Sequence, residues 1–167
     1  WDEWGTLREH QPIIHLNAHE AEAYCSWAHR RLPTEAEWEL AASGGAGGAK
    51  KSRFPWGDDE PTDEHANLDS RAGRVVDVAG YAKGDSAFGC RQMIGNVWEW
   101  TATRFLPYPA FIADPYREYS EPWFHTPHRV LRGGAWTTRA RLLRNTWRNF
   151  YEPHRRDVLA GFRTCAR

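Results

Sequence analysis

No stretch of this chain reaches the run of about 18 apolar residues that a membrane-spanning helix needs, and mean hydropathy is −0.76. A membrane span is therefore excluded, and no signal-peptide pattern opens the sequence. Cysteine is scarce. Cys25, Cys90 and Cys165 are the only three, and none forms a CxxC pair. An odd count without a spacing framework reads as reduced thiols in a cytoplasmic protein. Excess charge of one sign is also missing: 22 basic and 22 acidic side chains are finely mixed, so no nucleic-acid partner is expected. No internal repeat is visible. The chain does not begin with Met, as expected of a fragment or a processed product.

Tryptophan, by contrast, is abundant, with ten in 167 residues. Aromatic side chains bury large areas and carry polar handles, so a small core can rest on a few of them. Trp38, Trp98, Trp100, Trp136, Trp147 and Phe162 are the core candidates. The length favours one domain.

Apolar spacing at Ala21, Tyr24, Cys25, Trp27 and Ala28 predicts a helix over 18–30. A second helix is predicted over 35–43, with Thr34 as N-cap, Glu37 completing a capping box, and Gly44-Gly45 ending it. Residues 44–66 read as a long loop with a glycine-rich tip at Gly44, Gly45, Gly47 and Gly48. Short strands are expected at 74–78, 96–102, 128–132 and 160–165, with a turn or bulge at Gly133-Gly134. Residues 104–127 hold five prolines and seven aromatics without a clear period, and read as an ordered irregular excursion packed by its own rings. Residues 138–148 fit either a strand or a short helix.

Three motifs stand out: RLPTEAEWE at 31–39, GNVWEW at 95–100, and the segment RVLRGGAWTTRARLLRNTWRNFYEPHRRDVLAGFRTCAR at 129–167. Together they resemble the formylglycine-generating-enzyme (sulfatase-modifying factor) superfamily, from about Pro12 to Arg167. Within it they are most similar to the C-terminal domain of ergothioneine-type sulfoxide synthases. The resemblance implies an α+β, loop-rich, C-type-lectin-like fold with short strands and two helices. It also implies that residues 1–167 form part of one catalytic domain, lacking its first strands and a preceding DinB-like helical domain.

The resemblance also separates two chemistries. Formylglycine-generating enzymes bind copper through two cysteines after the Gly-Gly turn. The matching positions here are Thr138 and Leu143, which supply no soft thiolate ligand. Oxidation of a sulfatase cysteine is thereby disfavoured. Ergothioneine-type sulfoxide synthases use a non-haem Fe(II) held by three histidines, and join a thiol to N-alpha-trimethylhistidine with O2. The resemblance places those ligands in the preceding domain, so a partner segment would supply the iron site. A selenoneine synthase, which uses a selenosugar as donor, shares the same motifs. A lectin-like ligand-binding module without iron, or an inactive fragment, are the other readings; a binding module would carry a solvent-facing, variable set around 137–151.

The resemblance gives Tyr116 the role of proton donor in the oxygen chemistry, with Tyr119 as its neighbour in the motif. A phenol keeps its proton at neutral pH, its ordinary pKa being about 10. Lacking the resemblance, Tyr116 reads as a ring packed in an aromatic loop. Asn149, Phe150, Tyr151, Arg155 and Arg156 form the candidate substrate set. An amide, an aromatic face for a trimethylammonium, and arginines for carboxylates suit a zwitterionic betaine and an amino-acid thiol. Family members that use gamma-glutamylcysteine carry Trp-Asp after the Asn. Here the pair is Phe150-Tyr151, which points to free cysteine or another small thiol or selenol. The alternative for the arginines, Arg144 and Arg148 included, is a solvated face with structural ion pairs.

Asn67, Leu68, Asp77 and Ala79 match one structural calcium position of the superfamily, and Gly95, Asn96, Val97 and Glu99 match a second. Oxygen donors of this kind suit calcium, and the alternative is turns held by Asn and Asp side chains. Among eight histidines, the pairs His15/His19 and His125/His128 read as surface or capping residues rather than metal ligands. Glu99, Arg132 and Arg163 read as buried structural charges that need partners.

Overall fold

The computed structural model describes residues 4–44 and 50–167; Gly45, Gly47 and Gly48 of the expected loop tip lie outside them. Two helices, α1 (Ala18–Trp27) and α2 (Glu35–Ser43), precede most of the sheet. Among the described residues six strands form: β1 (Arg30–Arg31), β2 (Trp98–Arg104), β3 (Arg129–Arg132), β4 (Asn149–Tyr151), β5 (Ala160–Gly161) and β6 (Cys165–Ala166). Four of them form one sheet in the order β4-β3-β2-β5, and β1 pairs with β6 in a second. β2/β3 and β3/β4 are antiparallel, while β2/β5 is parallel. The α+β, loop-rich architecture expected from the motifs is present.

α2 matches its expected bounds. Thr34 accepts from the Glu37 N–H, and the Glu37 carboxylate accepts from the Thr34 N–H, closing the capping box. α1 carries a second such box, between Asn17 and Glu20, but it stops at Trp27 rather than at residue 30. The chain leaves the helix through His29 at φ 54°, because Arg30 and Arg31 are taken into β1 against Ala166 and Cys165. Only Ala18, Ala21 and Cys25 of α1 are buried. Tyr24 and Trp27 point outward, Trp27 being 76% exposed.

The expected strand at 74–78 does not form. Side-chain amides replace a strand partner there: Asn96 accepts from the Val76 N–H and donates to the Val76 carbonyl, and Asn67 donates to the Arg74 carbonyl. The strand predicted at 96–102 begins two residues later, because Gly95 and Asn96 adopt φ of 86° and 65°. The strand predicted at 160–165 divides into β5 and β6, which belong to different sheets. Residues 138–148 contain one 3-10 turn, Ala140–Leu142, and then run into β4.

Gly133 and Gly134 follow β3 at φ 95° and 80°. A Cβ on Gly133 would stand 2.7 Å from the Met93 carbonyl oxygen, so this turn requires glycine. Of the expected core aromatics, Trp38 and Trp100 are fully buried and Trp98, Trp136 and Phe162 half-buried. Trp147 is 40% exposed: it precedes Arg148, whose side chain turns inward to an ion pair, so Trp147 projects away from the core. The three cysteines are free thiols. No helix among the described residues is long and apolar enough to cross a membrane.

Buried charge organises the centre. The Arg132 guanidinium, with no exposed surface, donates to Glu35 and Glu39 at 2.7 Å each and to the Asn145 carbonyl. Its plane lies over the Trp38 ring. Glu99 accepts from Trp38 Nε1 at 2.7 Å and from Arg163. Glu99, Arg132 and Arg163, which the resemblance leads one to expect as structural charges, have partners.

Candidate functional site

β4 is the outer strand of the four-stranded sheet, and it carries Asn149, Phe150 and Tyr151 on alternating faces. Phe150, opposite Val130, joins the cluster of Phe105, Phe124 and Val130 and stacks on Phe105 at 4.0 Å between centroids. Tyr151 packs on the other side, against the main core that includes Leu16 and Trp100. The expected set is thereby split: Phe150 does not share a face with Asn149 and Tyr151. Asn149 accepts from the Phe150 N–H through Oδ1 at 2.8 Å, and its amide NH2 makes no hydrogen bond among the described residues.

Both candidate arginines already have carboxylate neighbours. Arg155 pairs with Asp157 and lies over the Tyr151 ring at 5.2 Å. Asp157 is held down to a pKa of about 2, chiefly by the Arg155 hydrogen bond. Arg156 pairs with Glu20. Pairs this exposed are weak because water and salt screen them, so a ligand carboxylate can compete for either guanidinium.

Tyr116 sits at the start of the 3-10 turn Arg117–Tyr119, in the irregular excursion expected from the sequence. It is 67% exposed, and its ring meets Tyr119 at 6.3 Å. The excursion is anchored to β4 further along: Trp123 stands 5.8 Å from Phe150, and Phe124 packs on Phe105 and Phe111. Tyr116 and the β4 residues therefore belong to connected elements without touching. His128, just before β3, completes this aromatic wall against Trp123 and Phe150. Expected as a surface or capping residue, it is instead half-buried among these rings.

A cleft of about 720 Å³ lies beside α2, lined by Glu35, Lys51, Tyr108 and Arg148 among others. Arg148 packs over Phe105 and Tyr108. Burial, followed by the Glu35 charge, pushes the Tyr108 hydroxyl above its ordinary pKa. Arg148 and Lys51 are engaged by Glu35 and Glu39, so the floor of this cleft is internally neutralised.

The calcium positions differ from each other. At the first, Asn67 keeps a buried Oδ1 without a hydrogen-bond partner. Asp77 caps the Ala79 N–H at 2.8 Å, and Arg91 donates to the Ala79 carbonyl at 2.7 Å. At the second, both Glu99 oxygens are taken by Arg163 and Trp38, and the Asn96 amide is engaged by Asn67, Val76 and Gln92. The side chains at that second position do not fit a divalent ion. Among the described residues, no group of three or more His, Cys, Asp or Glu side chains could hold a metal ion, so they do not fit the three-histidine iron site. His15 lies outside α1 and contacts the Arg156 carbonyl, while His19 is within the helix.

Leu143 and Thr138, the positions that the resemblance matches to copper-binding cysteines, are both engaged in the fold. Leu143 is buried with Phe54, Leu68 and Ile94, and Thr138 accepts from the Ala135 N–H. The sulfatase-modifying factor enzyme 1-like domain model matches residues 4–167. The chain belongs to that family. A hercynine oxygenase from Mycobacterium tuberculosis is 45% identical over 153 residues, covering 92% of this chain and 36% of that protein. A formylglycine-generating enzyme from Thermomonospora curvata is 40% identical over 108 residues, covering 58% of this chain and 35% of that protein. The chain thus spans about a third of the length of the curated relatives it matches. The structure of PvdO from Pseudomonas aeruginosa aligns with a TM-score of 0.68 at 24% identity, over 95% of this chain and 62% of that one. Treponema denticola variable protein 1 aligns with a TM-score of 0.69 at 21% identity, over 95% and 72%. At these identities the two structures establish the shared fold.

Proposed function

We propose that this domain is the C-terminal part of a non-haem-iron, O2-dependent sulfoxide synthase that joins a small thiol to N-alpha-trimethylhistidine, in ergothioneine biosynthesis. The observation that carries the reading is the 45% identity to a hercynine oxygenase across 92% of the chain. The leucine-filled core at the position of the second copper cysteine supports it, since no thiolate pair is available for the alternative family chemistry.

Iron would supply the activation of dioxygen. Its ligands would lie in a segment preceding this domain. The work of this chain is to bind and orient. Asn149 offers a free amide N–H to a carboxylate or imidazole, Tyr151 and Arg155 offer a ring and a guanidinium, and Arg156 offers a second guanidinium. Tyr116 would hold a proton at its phenol oxygen and release it to the reacting centre. Its exposure supports a surface that another segment of the protein covers. The segment 137–151 is pinned by buried Leu143 and Asn145 and by the Arg148–Glu35 pair, which favours a built site over a variable display loop.

Free cysteine is the proposed donor, because Tyr151 stands where an acidic residue would meet a glutamyl amino group; a selenosugar is the alternative. A calcium ion at Asn67, Leu68, Asp77 and Ala79 is a further part of the reading, supported by the unpartnered Asn67 oxygen; a melting temperature unmoved by added calcium or by chelator would remove it. In the full-length protein, Tyr116→Phe is expected to lower sulfoxide output about a hundredfold, within the range for losing a positioned proton donor, with betaine affinity retained. Unchanged output would overturn the Tyr116 role.

A further inference from the structure

The cleft beside α2 is separate from the β4 set: none of Tyr116, Asn149, Tyr151, Arg155 and Arg156 lines it. Its walls come from α2 and the N-cap Thr34, from Lys51, from residues 103–108, and from Thr146 and Arg148, around about 720 Å³. All four oxygens of its two carboxylates are taken. Glu35 Oε1 accepts from Arg132 and Arg148, and Oε2 from Arg148. Glu39 Oε1 accepts from Lys51, and Oε2 from Arg132. The side-chain groups left over are donors. Thr103 Oγ1 accepts from the Glu35 N–H at 2.9 Å, and its own hydrogen has no acceptor among the described residues. The Thr146 hydroxyl makes no hydrogen bond among the described residues. Lys51 gives Glu39 one of its three ammonium hydrogens and keeps two.

Charge points the same way. Arg148 and Lys51 balance Glu35 and Glu39, which leaves Arg132 beneath the floor and Arg104 on the rim in excess. Arg104 is exposed, reaches the Thr126 carbonyl at 3.4 Å and meets no carboxylate among the described residues. A cleft whose free side-chain groups donate and whose charge is net positive is complementary to an anion. The rest of the wall is apolar: Leu40, Leu106, Pro107 and the half-exposed ring of Tyr108, one face of which carries Arg148. Such a wall favours an anion with an apolar body over a bare inorganic ion, because only the former loses apolar surface to it. The volume and the few converging polar groups are those of a small-molecule site.

We propose that this cleft binds a small organic carboxylate with an apolar or aromatic body. The carboxylate lies among Arg104, Lys51 and the Thr103 and Thr146 hydroxyls, and the body packs on Leu40, Leu106 and Tyr108. Binding leaves the Glu35 and Glu39 pairs in place, since the ligand uses only donors that those pairs leave over. The Tyr108 hydroxyl, already pushed above its ordinary pKa by burial and by Glu35, stays protonated beside a bound anion and reports on it. The site stands whether or not the full-length protein makes a sulfoxide.

The test titrates the full-length protein, labelled in its tyrosine rings, with phenylacetate. The Tyr108 resonance is assigned by its loss in Tyr108→Phe. Phenylacetate is expected to shift that resonance saturably. Phenylacetamide, which keeps the body and lacks the charge, and acetate, which keeps the charge and lacks the body, should each bind at least about tenfold more weakly. Arg104→Ser should weaken phenylacetate about tenfold and Thr146→Val about threefold. Both variants replace exposed side chains, so their unfolding midpoints should match wild type and a loss of binding reports on the cleft. No saturable shift, phenylacetamide bound as tightly as phenylacetate, or wild-type affinity in both variants would overturn the proposal. Acetate bound as tightly as phenylacetate would overturn the role of the apolar wall.

Discussion

Arg148 grips both carboxylate oxygens of Glu35, through Nε at 2.6 Å and a terminal nitrogen at 2.8 Å. Glu35 is nearly buried and also accepts from Arg132, so one carboxylate serves two guanidiniums. This pairing ties the start of α2 to the residue before β4, and hence to the candidate site.

Removing that carboxylate leaves the buried Arg132 guanidinium short of a partner. Glu35→Ala is expected to destabilise the domain by about 3–5 kcal/mol, the cost of breaking a buried pair from one side. Arg148→Met should cost clearly less, because Glu35 retains Arg132 and the methionine still covers Phe105. Urea unfolding at neutral pH measures both, and equal effects would contradict the hierarchy.

Glu39 sets a pH dependence. Burial alone would raise its carboxyl pKa, but hydrogen bonds from Lys51 and Arg132 outweigh burial and hold it below the usual 4.5. A lowered folded-state pKa contributes stability that is present above the unfolded value and lost as pH falls through the folded one. Wild type should therefore exceed Glu39→Gln in unfolding midpoint at about pH 6, and the gap should shrink towards about pH 3. A gap independent of pH would contradict this assignment.

The amide of Asn96 stands in for a strand partner at Val76. Asn96→Ala would leave the Val76 N–H and carbonyl and the Asn67 amide without it, and loss of buried hydrogen bonds costs about 1–3 kcal/mol per orphaned group. The expected local consequence is faster amide exchange and proteolytic nicking within 71–80, ahead of global unfolding. Protection equal to that of wild type would contradict it.

The same segment shows what the sequence could and could not reveal. The Val-Val pair at 75–76 has strand propensity, but a single chain does not disclose that Val76 bonds to the side chain of Asn96, twenty residues on, and the neighbouring Arg74 carbonyl to that of Asn67, seven residues back. α2 was legible because its signals are local: Thr34, Glu37 and Gly44 lie within one short window. α1 was overextended because β1 recruits Arg30 and Arg31 through contacts with the far end of the chain. At the site, the motifs named Asn149, Phe150 and Tyr151, but strand alternation puts Phe150 on the opposite face. His128 was not legible as part of the aromatic wall, since Trp123 and Phe150 meet it only in the fold.

The central claim is tested most directly by giving the full-length protein Fe(II), O2, N-alpha-trimethylhistidine and cysteine, and reading the product by mass spectrometry. The account predicts a sulfoxide of the coupled betaine and cysteine, formed with consumption of O2 and absent when the betaine is omitted. Consumption of neither substrate, with a sulfatase-type cysteine peptide oxidised instead, would contradict it.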